Sequence, residues 1–134
     1  MEMMYEIFCR GKRVDNGEWV FGYYAYSKKS NVAYIIVPAP PKNYETFIFE
    51  EVIIETVGRY VGLTDRNDRK IFDGDIVKTI DGNYLVILDN FGGYHFELRK
   101  TLGNGYIKLE SLSFYECEVI GNVFDNPGLL EEGD

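Results

Sequence analysis

The stretch Leu63-Thr64-Asp65-Arg66-Asn67-Asp68-Arg69-Lys70-Ile71-Phe72-Asp73-Gly74-Asp75 brings four aspartates close together in a charged run. Read as a ligand loop or an acid–base pair, it makes the chain a metal protein or an enzyme. Read as turns, it makes the chain a succession of short strands. A calcium loop of the EF-hand type needs oxygen ligands at alternating positions, Gly at the sixth and Glu at the twelfth. Counted from Asp65, the third position is Asn67, but the fifth is Arg69, the sixth Lys70 and the twelfth Ile76. Two cations stand where ligands or the turning glycine belong, so the loop fails. Asp73 and Asp75 are two residues apart and would point the same way in an extended chain. Nothing in the sequence supplies the cleft that drives two carboxyl pKa values apart for acid–base work. Turn chemistry remains: Asp and Asn cap their own backbone and Gly74 provides an unusual φ. The stretch therefore reads as an entry into a strand at Ile76-Val77.

Working outward, strand signals recur and helical periodicity is scarce. Tyr5 to Arg10 reads as a strand. Asn16-Gly17 is a hairpin turn, because this pair readily takes two positive φ angles. The return strand, Trp19 to Tyr26, places Trp19, Phe21 and Tyr23 on one face and Val20 and Tyr24 on the other. Val32 to Val37 is a continuous apolar run, read as a buried strand, and Pro38 to Pro41 ends it. Tyr44 to Ile54 carries another strand with a break expected at Glu50-Glu51. Val57 to Leu63 precedes the opening stretch. Ile76 to Ile80, Asp81-Gly82 and Tyr84 to Leu88 form a hairpin. Gly92-Gly93 leads into Tyr94 to Leu98, and Gly103-Asn104-Gly105 into Tyr106 to Leu109. Ser111-Leu112-Ser113 marks a possible short helix, Val119 to Phe124 a last strand, and Asn126-Pro127 a helix start.

The fold class is thus mainly β with little helix. Residues 1–55 are expected to form an N-terminal β unit. Residues 56–134 are expected to hold a small barrel of SH3-like size, since five short strands with tight turns fill residues 56–126, ending in an acidic tail. No low-complexity linker separates them, so one compact body is expected.

Composition fits this reading and narrows function. Eleven Tyr, nine Phe and one Trp suit pleated surfaces, and they also suit binding surfaces. The net charge of −8 argues against nucleic acid, but its distribution weakens the argument. Glu110 to Asp134 holds seven acids and no Lys or Arg, while residues 1–109 balance fifteen acids against fourteen bases. The acidic end reads as a solubilising tail. Cys9 and Cys117 lack metal-type spacing and read as buried free thiols of a reducing cytosol. No signal peptide and no membrane-length apolar run is visible.

Catalytic chemistry finds little support. His95 is the only histidine, so no multi-histidine metal site or His–His pair is available. Cys9 and Cys117 lie in predicted strands, away from helix N-termini that stabilise a thiolate. No phosphate-binding glycine loop, cofactor motif or small-molecule substrate is identified. The candidate interaction surface is the basic run Arg10, Lys12 and Arg13 beside Trp19, Tyr23 and Tyr24. Cations next to aromatics suit single-stranded nucleic acid through phosphate contact and stacking. Three cations are few for that role, and a solvated hairpin is the favoured account of them.

Three segments resemble the YopX family, small proteins encoded by phages and prophages of Gram-positive bacteria. They are Phe8 to Arg13 with Asn16 to Tyr24, then Glu55 to Asp65 continuing through Ile71 to Val77, and finally Glu118 to Pro127. The resemblance implies a β-rich chain with an SH3-like C-terminal part, and it brings no catalytic residues. Where the family usually has Asn-Gly, this chain has Asn67-Asp68; a positive φ at Asp68 would cost about 1 kcal/mol, which leaves the turn type open and the fold unaffected. The functional expectation is a cytoplasmic, non-enzymatic phage accessory protein that binds a protein partner or itself. Nucleic acid is the disfavoured alternative.

Overall fold

The computed structural model describes residues 8–39, 43–80, 82–89, 95–99, 106–108 and 117–131. It is mainly β, in two antiparallel sheets with an open arrangement. The chain divides into two units, Met1–Arg59 and Tyr60–Asp134. The division falls inside a strand, a few residues after the boundary expected at residue 55.

The first unit is a meander of β1 (Phe8–Lys12), β2 (Trp19–Ser27), β3 (Val32–Ala39) and β4 (Asn43–Val52), in spatial order β4-β3-β2-β1. β4 passes through Glu50-Glu51 without the expected break. β1 also pairs with the start of β5 (Gly58–Thr64), Cys9 opposite Arg59 and Arg10 opposite Gly58. Directly paired residues point to the same side of a sheet, and the side alternates along each strand. The registers therefore assign Cys9, Gly11, Val20, Gly22, Ala33, Ile35, Val37 and Val52 to one face. That face is the core, where Cys9, Ala33, Ile35 and Val52 are buried and Val20, Val37 and Val57 pack on them. The apolar run of β3 is accordingly buried on one side, with Tyr34 and Ile36 half-buried on the other.

The sheet curls strongly. A Cβ on Gly22 would lie 2.2 Å from the Ile36 carbonyl oxygen, so only glycine permits this approach of β2 to β3. The residues after β1 reach back to the end of β4: Arg13 bridges Val52, Val14 N–H donates to Glu51 O at 3.0 Å and Ile53 N–H to Lys12 O at 2.8 Å. Thr56, in a 3-10 turn at Ile54–Thr56, accepts from Lys12 N–H at 2.9 Å and donates to Ile53 O at 2.6 Å.

The second unit contains the rest of β5, β6 (Lys70–Phe72), β7 (Asp75–Thr79), β8 (Gly82–Asp89), β9 (His95–Arg99), β10 (Tyr106–Lys108), β11 (Glu118–Asn122) and α1 (Gly128–Glu131). β5 pairs with β6, and the sheet β10-β9-β8-β7-β11 is open, so these pairings do not close the expected barrel. Val61, Ile71, Val77, Tyr84, Val86, Cys117 and Val119 make its core. Asp81 and the segments 90–94, 100–105 and 109–116, including the expected Ser111–Ser113 helix, lie outside the described residues, as does the tail beyond residue 131.

The charged stretch is built into this unit. Asp65 is buried, and its carboxylate accepts from the N–H groups of Asn67 (2.8 Å), Arg69 (2.9 Å) and Val119 (2.8 Å). Burial is the largest influence on its pKa and acts upward. The three N–H donors and the charge of Arg69 outweigh it and hold the carboxyl below its ordinary value. Asp68 closes the turn with its N–H on Asp65 O at 2.9 Å and takes a positive φ, 69°. Asp75, also buried, accepts from Phe72 N–H at 2.7 Å, pinning β6 to the start of β7 across Asp73-Gly74. Two of the four aspartates are thus buried fasteners, and the sequence reading of turns missed only the short β6 between them.

Candidate functional site

The outer face of the first unit, opposite its core, is aromatic. The registers align Phe8, Tyr23, Ile36 and Phe49 in one row across β1, β2, β3 and β4. Beside it Arg10 pairs with Phe21, a further pair joins Lys12 with Trp19, and Phe47 lies on the same face two residues before Phe49 on β4. Tyr34 stands on the same face on the other side of the first row. Phe21 is 46% exposed, Tyr23 41%, Phe47 52% and Phe49 58%. Phe8 meets Tyr23 edge-on, with ring centroids 6.0 Å apart, and Tyr34 meets Phe49 in the same way at 5.8 Å. Such edge-to-face contacts fix ring orientation and leave a ring face available to something else.

The sequence candidates separate on this frame. Arg10, Lys12, Trp19 and Tyr23 share the outer face. Arg10 is buried, 5% exposed, with its guanidinium carbon 4.7 Å from the centre of the Trp19 ring; Lys12 Nζ lies 5.7 Å from it. These cation–π contacts make Trp19 a packed element of the face, bounded by its cations. Tyr24 is exposed but points to the core side, opposite Ile35 in register. Arg13 sits at the end of the sheet. It donates to both carboxylate oxygens of Asp15, at 3.0 and 2.7 Å, and lies 3.5 Å from Glu50. The bond to Asp15 raises the pKa of Arg13 and lowers that of its partner.

Phe47 and Phe49 are the residues sequence reasoning missed. Their alternation within Tyr44 to Ile54 was readable, but which side of β4 meets the core depends on its register with β3. Phe8, Phe21 and Tyr34 complete the face by the same logic.

Other candidate groups have structural surroundings. Burial pushes the Cys9 thiol up to about 11, opposed by the charge of Arg59. Burial, with help from Asp65, pushes Cys117 to about 11 as well. His95 lies in β9, and its side chain is outside the described residues. Among the described residues, no helix is long and apolar enough to cross a membrane, and no three His, Cys, Asp or Glu side chains group as metal ligands.

A family model described as YopX protein matches residues 9–131, nearly the whole chain. No curated protein matches it.

Proposed function

The chain belongs to the YopX family, and on that premise we propose that it is a non-enzymatic phage or prophage accessory protein that binds another protein through the outer face of β1–β4. The observation that carries this reading is the exposure of Phe21 and Tyr23 on β2 and of Phe47 and Phe49 on β4, all on one face of the sheet with β3 between them. Aromatic enrichment with few charges at the centre and cations at the margin is the composition of a protein-binding patch. Phage origin and a cytoplasmic site of action in the host rest on the family resemblance.

Nucleic acid is the weaker reading. Stacking platforms need cations free to reach phosphates, and Arg10 is buried against Trp19. Affinity capture from host lysate, with the wild type and a Phe21→Ser/Tyr23→Ser variant side by side, tests the proposal. A partner retained by the first and lost by the second supports it. A shift of labelled single-stranded DNA at low salt, with no protein partner captured, overturns it.

A further inference from the structure

We propose that the open edge of β4 at Phe47–Glu50 receives an added strand from the partner protein, an extended apolar segment with a Lys or Arg at its end. This rests on the protein-binding reading above and names the mode and chemistry of that binding.

The edge is defined by hydrogen bonding. Glu51 C=O and Ile53 N–H face away from β3, since they bond to Val14 N–H and Lys12 C=O. Backbone groups in a strand repeat their direction every second residue. The N–H and C=O of Phe47 and Phe49 therefore face the same outward edge. The pairing of Phe47 with Pro38 agrees, because proline has no N–H to offer a hydrogen-bonded pair. Beyond Val14 the chain turns back on itself, Gly17 N–H donating to Arg13 O. Among the described residues, β4 is thus capped at Glu51–Ile53 and bare at Phe47–Glu50. A bare edge is a template for another strand.

Side chains at the bare edge are exposed on both sides of the sheet. Phe47 and Phe49 lie on the outer face, and Ile48, 38% exposed, lies on the other. A strand added about 4.8 Å away would set alternate side chains beside the two phenylalanines and the intervening ones beside Ile48. One occupant covers all three residues, which an object resting on the outer face alone would not do.

Charge selects the occupant. Where the capped and bare parts of the edge meet there is a hollow of about 170 Å³ lined by Arg13, Val14, Asp15, Glu50 and Glu51. The Arg13 guanidinium there already meets two carboxylates, Asp15 at 2.7 Å and Glu50 at 3.5 Å, which leaves negative charge in excess. A cationic side chain at the end of the added strand restores balance there. A second copy of this chain fits poorly. Antiparallel pairing of two β4 strands about Ile48 would need the edge at Glu51 for more than a few residues, and Val14 already holds Glu51 there.

The test is fluorescence anisotropy of the full chain with two labelled peptides of alternating Val and Thr, one ended by Lys and one by Glu. The Lys-ended peptide should bind at least tenfold more tightly, and more weakly as salt rises. Phe49→Pro removes an outward N–H and spares the ladder to β3, so it should weaken binding at least tenfold with an unchanged circular dichroism spectrum. Should that variant lose its strand signal, Glu50→Lys/Glu51→Lys decides: the preference should reverse toward the Glu-ended peptide. Binding of neither peptide, equal binding of both, or indifference to the substitutions overturns the inference. So does sedimentation showing a wild-type dimer that Phe49→Pro dissociates, since the edge then belongs to a second copy. A lysate partner lost with Phe21→Ser/Tyr23→Ser but kept by Phe49→Pro would leave the binding reading standing and remove this one.

Discussion

The carboxylate of Asp65 accepts a hydrogen bond from the backbone N–H of Val119, 54 residues away in sequence, at 2.8 Å. One side chain therefore ties the turn after β5 to the last strand of the second unit, and Arg66 N–H donates to Cys117 O beside it at 3.0 Å. A residue that looks like a ligand in the sequence is a fastener in the fold. Asp65→Asn keeps one acceptor oxygen but turns an NH₂ group toward a backbone donor. The loss should be about 2–3 kcal/mol at neutral pH, the scale of a buried donor left unmet. Urea denaturation monitored by tryptophan fluorescence and circular dichroism measures it.

The same carboxyl gives a pH signature. Its folded pKa lies below the unfolded value, so its stabilisation is present above the unfolded pKa, about 3.9 for Asp. It is lost as pH falls through that value and then through the folded one. The stability difference between wild type and Asp65→Asn should therefore be largest near pH 7 and shrink in acid. A difference that is flat from pH 7 to strong acid would contradict the assignment.

Asp68 supplies a substitution in the favourable direction. Its φ of 69° is left-handed, a conformation in which glycine is unstrained. Asp68→Gly should stabilise the protein by up to about 1 kcal/mol, seen as a higher denaturant midpoint. A fall of that size would mean that the Asp68 side chain contributes more than its backbone costs.

Gly22 tests the curl of the first unit. The Cβ of alanine at this position would meet the Ile36 carbonyl oxygen at 2.2 Å, a backbone atom held in the β2–β3 ladder. Gly22→Ala should cost about 3 kcal/mol or more, at the upper end of overpacking penalties. Thermal denaturation read by circular dichroism would show it.

Both thiols should be inert in the native state. With pKa values of about 11 for Cys9 and Cys117, roughly one thiol in a thousand is ionised at pH 8, and the thiolate is the reactive form. Disulfide-exchange reagent should modify neither residue within minutes at pH 8 and both after denaturation. Rapid labelling of the native chain would contradict their burial.

These residues also mark how far the sequence can be read. The β class and the β1–β2 and β7–β8 hairpins follow from local chemistry that short stretches carry in full, although at Asn16-Gly17 only Gly17 takes a positive φ, 74°, and not both residues as expected. Trp19, Phe21 and Tyr23 were placed on one face of a strand, and Tyr24 on the other, by alternation alone. Whether that face meets the core is not local. It depends on the β3–β4 register, which buries Ile35 and Val52 and leaves Phe47 and Phe49 outside. The Arg13–Val52 bridge that caps β4 joins the end of β1 to the end of β4, with β2 and β3 between them in sequence, and no pattern within either segment announces it. Arg10 shows the same limit from the other side: a charged residue next to a turn reads as solvated, yet it is buried on Trp19.

Hydroxyl-radical footprinting of the free chain and of the complex captured from host lysate decides whether the outer face of β1–β4 is the binding surface. Phe21, Tyr23, Phe47 and Phe49 should become protected in the complex, while Tyr24 and Tyr26, exposed on the opposite side of β2, should keep their reactivity. Unchanged oxidation of the four, with protection confined to the second unit, would contradict it.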